Sequence, residues 1–281
     1  MKNNVLKQNT PGKILDIGRT AEIREWTHDK VIKIYFSEMP DGMVKREWEI
    51  SRILSRTGAP SPLCHDIVSL DDGRKGLVFS RIKGETLGPK YYSQIFKLRQ
   101  RTRDLVRLHR SIQVPLKNGS GLPSAKERII SAVKALMPFT DREKEKIIRL
   151  TEKLPDGLYL CHGDFHPDNV MTAEGKHLVI DWMTACTGPR VADAVRTYVL
   201  WRFVTLPDKF PSAVKPFIRL FTKLLAKRYL KDYLKISGIK REEADPWILP
   251  MAAARLLEGF SGIQERRLVR FIRKELGKQP V

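Results

Sequence analysis

Long apolar runs, paired cysteines and acidic side chains are what this sequence has little of. No stretch approaches the ~20 consecutive apolar residues of a membrane-spanning helix, and residues 1–13 are polar and basic without the apolar segment of a secretory leader, so neither a membrane partner nor export is expected and the chain reads as cytoplasmic. Cys64, Cys161 and Cys186 are odd in number and lack a C-x-x-C spacing. They exclude a disulfide framework or a zinc ribbon and read as reduced thiols. Acids are outnumbered, 32 Asp and Glu against 52 Lys and Arg, for a net charge of +20. Only residues 151–200 run the other way, with seven acids against four bases. A local surplus of carboxylates in a basic protein is what a divalent-metal site produces, while the basic remainder can attract polyanions or keep the protein soluble. With 281 residues and 42% apolar content, the chain is long enough for two lobes with real cores.

What is present concentrates in Leu158 to Asp181, L-Y-L-C-H-G-D-F-H-P-D-N-V-M-T-A-E-G-K-H-L-V-I-D. An apolar run breaks at Gly163, and a polar loop then packs two His, two Asp and an Asn into eight residues. Two short strands around a Glu174-Gly175 turn follow, and they bring Asn169 and Asp181 to the same edge of a small sheet. Phosphoryl transfer needs one carboxylate to orient the attacking hydroxyl and take its proton, and an amide oxygen with a second carboxylate to hold Mg²⁺ against the nucleotide phosphates. Asp164, Asn169 and Asp181, five and twelve residues apart in succession, fit those three tasks. The order is that of a kinase catalytic loop and its downstream metal-binding Asp, with His162-Gly163-Asp164 for His-Arg-Asp and Asp181-Trp182-Met183 for Asp-Phe-Gly.

A competing reading takes His162, Asp164, His166 and Asp168, which alternate, as a metallohydrolase ligand set on one face of a strand. Gly163 and Pro167 oppose a regular strand there, and Asn169 and Asp181 would be left without a purpose. An inert turn held by hydrogen bonds from the histidines and Asp168 is the plain structural alternative.

H-G-D-F-H-P-D-N followed by V-I-D-W resembles the signature of the aminoglycoside phosphotransferase and choline-kinase-like family, over roughly residues 14 to 200. The resemblance implies an α+β, two-lobed protein-kinase-like fold, with a small β-rich nucleotide-binding lobe over 1–83 and a large, mainly helical lobe over 84–281 that carries the catalytic loop 162–169 and Asp181. It implies a kinase that moves the γ-phosphoryl group of ATP or GTP to a hydroxyl of a small molecule such as an antibiotic, sugar or amino alcohol, with Mg²⁺. Asp164 is then the catalytic base and Asn169 and Asp181 the metal ligands. His162, His166 and Asp193 support the loop.

The N-terminal third carries further expectations. Residues 14 to 36 form two alternating strand-like runs around a Thr27-His28-Asp29-Lys30 turn. Gly18-Arg19-Thr20 sits where nucleotide kinases place a phosphate-covering turn, and with one glycine an ordinary hairpin bend explains it as well. Lys33, in V-I-K-I-Y, is a charge among apolar neighbours on a strand and needs a partner or a phosphate; the resemblance implies the α/β-phosphates. The helix-like segment from Met43 to Ser55 offers Glu47 and Glu49, of which only one can face inward, and the family pattern favours Glu47. Phe79-Ser80-Arg81-Ile82 falls where the resemblance puts the hinge whose backbone reads a purine edge.

Further on, Ile95 to Ile112 is an amphipathic helix with His109 at the core edge, and Ser124-x-x-Glu127 and Thr140-x-x-Glu143 are capping boxes opening two more. The tail reads as two helices, about 213 to 236 and 247 to 276. Its acids Glu242, Glu243, Asp245, Glu258 and Glu265 are the candidates for contacting an acceptor. Two other classes compete with the enzyme: a catalytically silent nucleotide-binding scaffold, against which the complete Asp-Asn-Asp set counts, and a basic nucleic-acid-binding protein, for which no motif accompanies the charge.

Overall fold

The computed structural model describes residues 10–93, 95–117, 120–204, 206, 210–259 and 262–279. In chain order the elements are β1 (Ile14–Ile17), β2 (Ala21–Thr27), β3 (Lys30–Tyr35), α1 (Asp41–Thr57), β4 (Cys64–Ser69), β5 (Lys75–Ser80), β6 (Glu85–Thr86) and α2 (Leu87–Ser93). Next come α3 (Leu98–Ile112), α4 (Ala125–Lys134), α5 (Asp141–Glu152), β7 (Tyr159–Cys161), β8 (Val170–Ala173), β9 (Lys176–Val179) and β10 (Cys186–Gly188). The chain closes with α6 (Arg190–Arg202), α7 (Lys215–Ser237), α8 (Arg241–Arg255) and α9 (Gly262–Leu276). The fold is α+β, an antiparallel N-terminal sheet followed by a mainly helical region. It divides into two compact units, Met1–Leu87 with Asp168–Met183, and Gly88–Pro167 with Thr184–Val281.

In the first unit the strands form one sheet in the order β1-β2-β3-β5-β4, all antiparallel. Alternation sorts its side chains. Ile32 and Ile34 join Leu70 and Val78 on one face, whereas Tyr35 and Leu77 join Ala21 and Val44 of α1 on the other. Gly58, at φ +71, ends α1 in the left-handed conformation that glycine adopts without steric cost. A smaller sheet, β6-β8-β9, completes this unit. Its β8–β9 hairpin closes through Glu174 and Gly175, both at positive φ (50° and 74°), as a two-residue turn that follows the twist of the strands requires.

The second unit packs its helices around α6, whose Val191, Ala192, Ala194, Val195 and Val199 are all buried. The capping boxes at Ser124 and Thr140 form with both reciprocal hydrogen bonds. Between the helices runs the two-stranded β7–β10 ribbon, and β7 delivers the polar loop beginning at His162. Two expectations are corrected. The second tail segment is two helices rather than one: the chain turns at Leu256–Glu258 and Gly259, at φ +83, parts α8 from α9, so Glu258 and Glu265 do not share a continuous helical face. His109 is not at the core edge but fully buried.

Leu77 is fully buried against Ala21, Tyr35 and Val44. Leu77→Ala should lower stability by roughly 2–5 kcal/mol, the range for a leucine deletion that the surroundings cannot fill. Urea denaturation measures it, and an unchanged midpoint would contradict the packing described.

Candidate active site

The first unit gathers one set of charges. On β3, Lys33 Nζ lies 2.9 Å from both carboxylate oxygens of Glu47 and 3.3 Å from Asp181 Oδ1. Glu47 and not Glu49 faces inward from α1: Glu47 is buried and Glu49 exposed, as the ~100° step between helix positions dictates. Tyr35 also donates its hydroxyl to Glu47. Burial alone would push the Lys33 pKa down, but the charges of Glu47 and Asp181 outweigh it and the net shift is upward, so Lys33 is firmly cationic.

Asn169 and Asp181 stand at the open end of the β8–β9 hairpin, where Ile180 N–H donates to Asn169 O at 2.9 Å. Asp181 adopts φ +61, a left-handed conformation uncommon for a non-glycine residue. The flanking Trp182 anchors its indole N–H to Val179 O at 2.8 Å. Asn169 and Asp181 supply two hard oxygen donors, the set a magnesium ion uses when phosphate oxygens and water complete its shell. Among the described residues no group of three or more His, Cys, Asp or Glu could hold a metal ion, which leaves the metallohydrolase reading without support.

Other nucleotide-side candidates lie in the same unit. Gly18, Arg19 and Thr20 form the bend between β1 and β2, and Gly18 N–H closes it onto Ala21 O at 2.9 Å. Phe79 and Ser80 end β5. Arg81 N–H donates to Asp29 O at 2.8 Å, so that amide is engaged within the fold, and Ile82 follows it in the connection to β6.

In the second unit the loop after β7 hangs from one buried carboxylate. Asp193 of α6 accepts from His162 N–H at 2.8 Å and from Gly163 N–H at 2.9 Å, and it pairs with His109 Nε2 at 2.7 Å. His109 is held on its other nitrogen by the Tyr229 hydroxyl of α7. Burial pushes the Asp193 pKa up, but the charge and hydrogen bond of His109 and the Gly163 amide pull it further down, to about 2. Gly163 is obligatory: at φ +77 a Cβ would sit 2.4 Å from Thr184 O. Carbonyls on the loop are fixed as well, with Thr184 Oγ1 donating to His162 O, Thr197 Oγ1 to Phe165 O and Arg196 Nε to Gly163 O.

Asp164 stands on this loop with its backbone N–H donating to His162 Nδ1 at 3.1 Å and its carboxylate 3.6 Å from His166 Nε2. Burial works against its charge, but His166, then Arg196 and His162, more than compensate and hold the carboxyl far below the usual range. It is therefore a carboxylate throughout the physiological range. Arg196 and Thr197 were not legible in the sequence because each reaches the loop across more than thirty positions.

Among the tail acids, Glu243 accepts from Lys240 N–H at the start of α8, Asp245 pairs with Arg241 at 2.5 Å, and Glu258 is gripped by Arg196 and by Arg255.

The antiparallel sheet with its lysine–glutamate pair, and the mainly helical unit described beside it, define a kinase-like α+β fold. The sequence model of the phosphotransferase enzyme family (APH) matches residues 18–247, and the chain belongs to that family. Solved structures agree on the fold. Aminoglycoside phosphotransferase APH(4)-Ia is similar at 14% identity and TM-score 0.62, covering 95% of each chain. The streptomycin–ATP complex of APH(2")-IIa is similar at 16% identity and TM-score 0.57, covering 95% of this chain and 93% of that one. Amicoumacin kinase hAmiN, in complex with AMP-PNP, Ca²⁺ and Ami, is similar at 15% identity and TM-score 0.55, covering 95% of this chain and 88% of that one. No curated protein sequence matches the chain.

Asp193 is stabilised as an anion, so its contribution to stability is complete above the ordinary aspartate pKa of 3.8 and is lost as pH falls toward about 2. Asp193→Asn should cost roughly 3–5 kcal/mol near neutrality, as for removing one member of a buried ion pair. The gap between parent and variant should shrink by about 1 kcal/mol by pH 3. Denaturant titrations at several pH values test this, and a gap independent of pH would mean that the charge of Asp193 contributes nothing.

Proposed function

We propose that the protein is a small-molecule kinase that transfers the γ-phosphoryl group of a nucleoside triphosphate to an acceptor hydroxyl. The observation that carries this is Lys33 Nζ poised between Glu47 at 2.9 Å and Asp181 at 3.3 Å, a buried cation oriented by one carboxylate and shared with a second that stands beside Asn169. In the proposed reaction Lys33 binds the α/β-phosphates, Glu47 keeps its side chain extended toward them, and Asn169 and Asp181 hold Mg²⁺. A magnesium ion bound there would neutralise charge on the β- and γ-phosphate oxygens. Asp164, an oxygen acceptor at neutral pH, orients the acceptor hydroxyl and receives its proton as the oxygen attacks phosphorus. His162, His166 and Asp193 fix Asp164's position. Gly18 to Thr20 cover the phosphates, and the backbone of residues 79–82 reads the purine edge, with Arg81's own N–H excluded by its bond to Asp29.

The acceptor, on this proposal, is not a polycation. Residues 201–281 carry eight acids against eighteen bases, and of the five acids available to meet a polycationic antibiotic, Glu243, Asp245 and Glu258 are already engaged within the fold. Long-range steering also opposes a polycation, the more so at low salt. A neutral, singly charged or anionic hydroxyl compound fits better, such as a sugar, an amino alcohol or a macrolide-like molecule.

Asp164→Asn should reduce turnover by a factor on the order of 10²–10⁴ with nucleotide affinity nearly intact, whereas Asp181→Ala should abolish Mg²⁺-dependent nucleotide binding as well. Isothermal titration with a non-hydrolysable nucleotide, beside steady-state kinetics, separates the two. Turnover unaffected by Asp164→Asn, or full activity in a chelator, would refute these roles.

A panel of hydroxylated acceptors assayed for nucleotide-dependent phosphorylation should rank neutral and anionic compounds above aminoglycosides. Efficient phosphorylation of a highly charged aminoglycoside, improving as salt is lowered, would overturn the charge argument.

A further inference from the structure

Helix α7 packs on α3 and α6 through Leu225, Ala226, Tyr229, Leu230 and Tyr233, all buried. On the opposite side Phe217, Leu220 and Leu224 share one face at steps of three and four residues, and they are 74%, 57% and 56% exposed. The first half of this helix thus exposes an apolar stripe, and a contiguous exposed apolar patch marks an interaction site. The same outward face continues as Lys227, Lys231 and Lys235, with Lys223 alongside, all exposed. Across Lys215–Ser237 there are seven bases and a single acid, Asp232, which is paired with Arg228 at 2.6 Å.

We propose that the outward face of α7 is a peripheral docking surface for an anionic lipid bilayer, with Phe217, Leu220 and Leu224 entering the headgroup boundary and Lys223, Lys227, Lys231 and Lys235 holding lipid phosphates. Charge selects this occupant. A second copy of the chain would set seven bases against seven, and a nucleic acid would meet the lysines but gain little from three exposed apolar side chains. An anionic bilayer satisfies both halves of the face. The stripe also stands apart from the catalytic loop: Tyr229, which reaches His109, is twelve residues beyond Phe217, about 18 Å along the helix. No helix among the described residues is long and apolar enough to cross a membrane, and the expectation of no membrane partner rested on that criterion. A helix lying in the surface needs no spanning run.

The test is flotation of the full chain with large unilamellar vesicles of phosphatidylcholine alone or mixed with phosphatidylglycerol, at low and near-physiological salt. Binding should require the anionic lipid and weaken with salt. The double change Phe217→Ser with Leu220→Ser should lower the partition coefficient by about tenfold or more, and Lys223→Glu with Lys227→Glu should do the same without touching an apolar residue. Matching circular dichroism melts establish that both variants are folded, and because all four side chains are exposed, the lysine variant alone suffices should the first melt early. No binding to anionic vesicles at low salt, or binding indifferent to both variants, would overturn the proposal. So would binding to a homopolymeric RNA that competes with the vesicles and ignores the Phe217 and Leu220 changes.

Discussion

A single buried carboxylate organises the helical unit. Asp193 has no solvent to neutralise it, so its charge must be met by donors from the fold: His162 N–H, Gly163 N–H, His109 and, at 3.4 Å, the Gln113 amide. An unmet charge at that depth would cost several kcal/mol. Satisfying it therefore dictates the path of the loop: two successive amides must turn toward α6, which forces Gly163 into positive φ and leaves Asp164 on the far side of the turn. The same demand reaches outward. His109 is in position only because Tyr229 holds its other nitrogen, and Gln113, one turn along α3, is held by Tyr233 at 2.5 Å. Helices α3, α6 and α7 thus converge on the geometry of three loop residues.

Scarcity of acids gives the electrostatics their character. In a protein of net charge +20, several carboxylates are engaged by cations of the fold itself: Glu22 by Arg24 and Arg74, Glu143 by Arg273, Glu258 by Arg196 and Arg255. Glu258 shows the consequence. Two guanidiniums meet one carboxylate, and one of them, Arg196, also donates to Gly163 O beside Asp164. His166, Arg196 and His162 together hold Asp164 ionised.

What could be read in the sequence was what lies close together in it. The H-G-D-x4-N loop and its downstream Asp are contiguous, so their spacing carried the chemistry, and the hairpin that aligns Asn169 with Asp181 follows from alternation around Glu174-Gly175. The phase of α1 left Glu47 and Glu49 open until a family pattern chose between them, because both flank Trp48 and composition alone cannot fix the rotation of a helix. His109 was misread because a histidine in an amphipathic helix looks the same whether its partner is water or a carboxylate 84 residues away. The tail defeated the reading for a different reason. Pro246 and Pro250 sit inside α8 without ending it, and the break falls instead at Gly259, so the strongest local signals stood in the wrong place.

Asp181 joins the local and the long-range constraints. An aspartate in the left-handed region is costlier than a glycine, on the order of 1 kcal/mol. Its neighbours hold it in place: Ile180 N–H is bound to Asn169 O, and the indole of Trp182 is bound to Val179 O. These clamps lie on either side of the residue, and its own carboxylate accepts from Lys33 Nζ at 3.3 Å. The carboxylate is left half-exposed, 3.3 Å from a buried lysine and beside an asparagine. The strained conformation thus holds an exposed carboxylate beside the Lys33 ammonium, which is what the proposed role in holding a divalent metal asks of it.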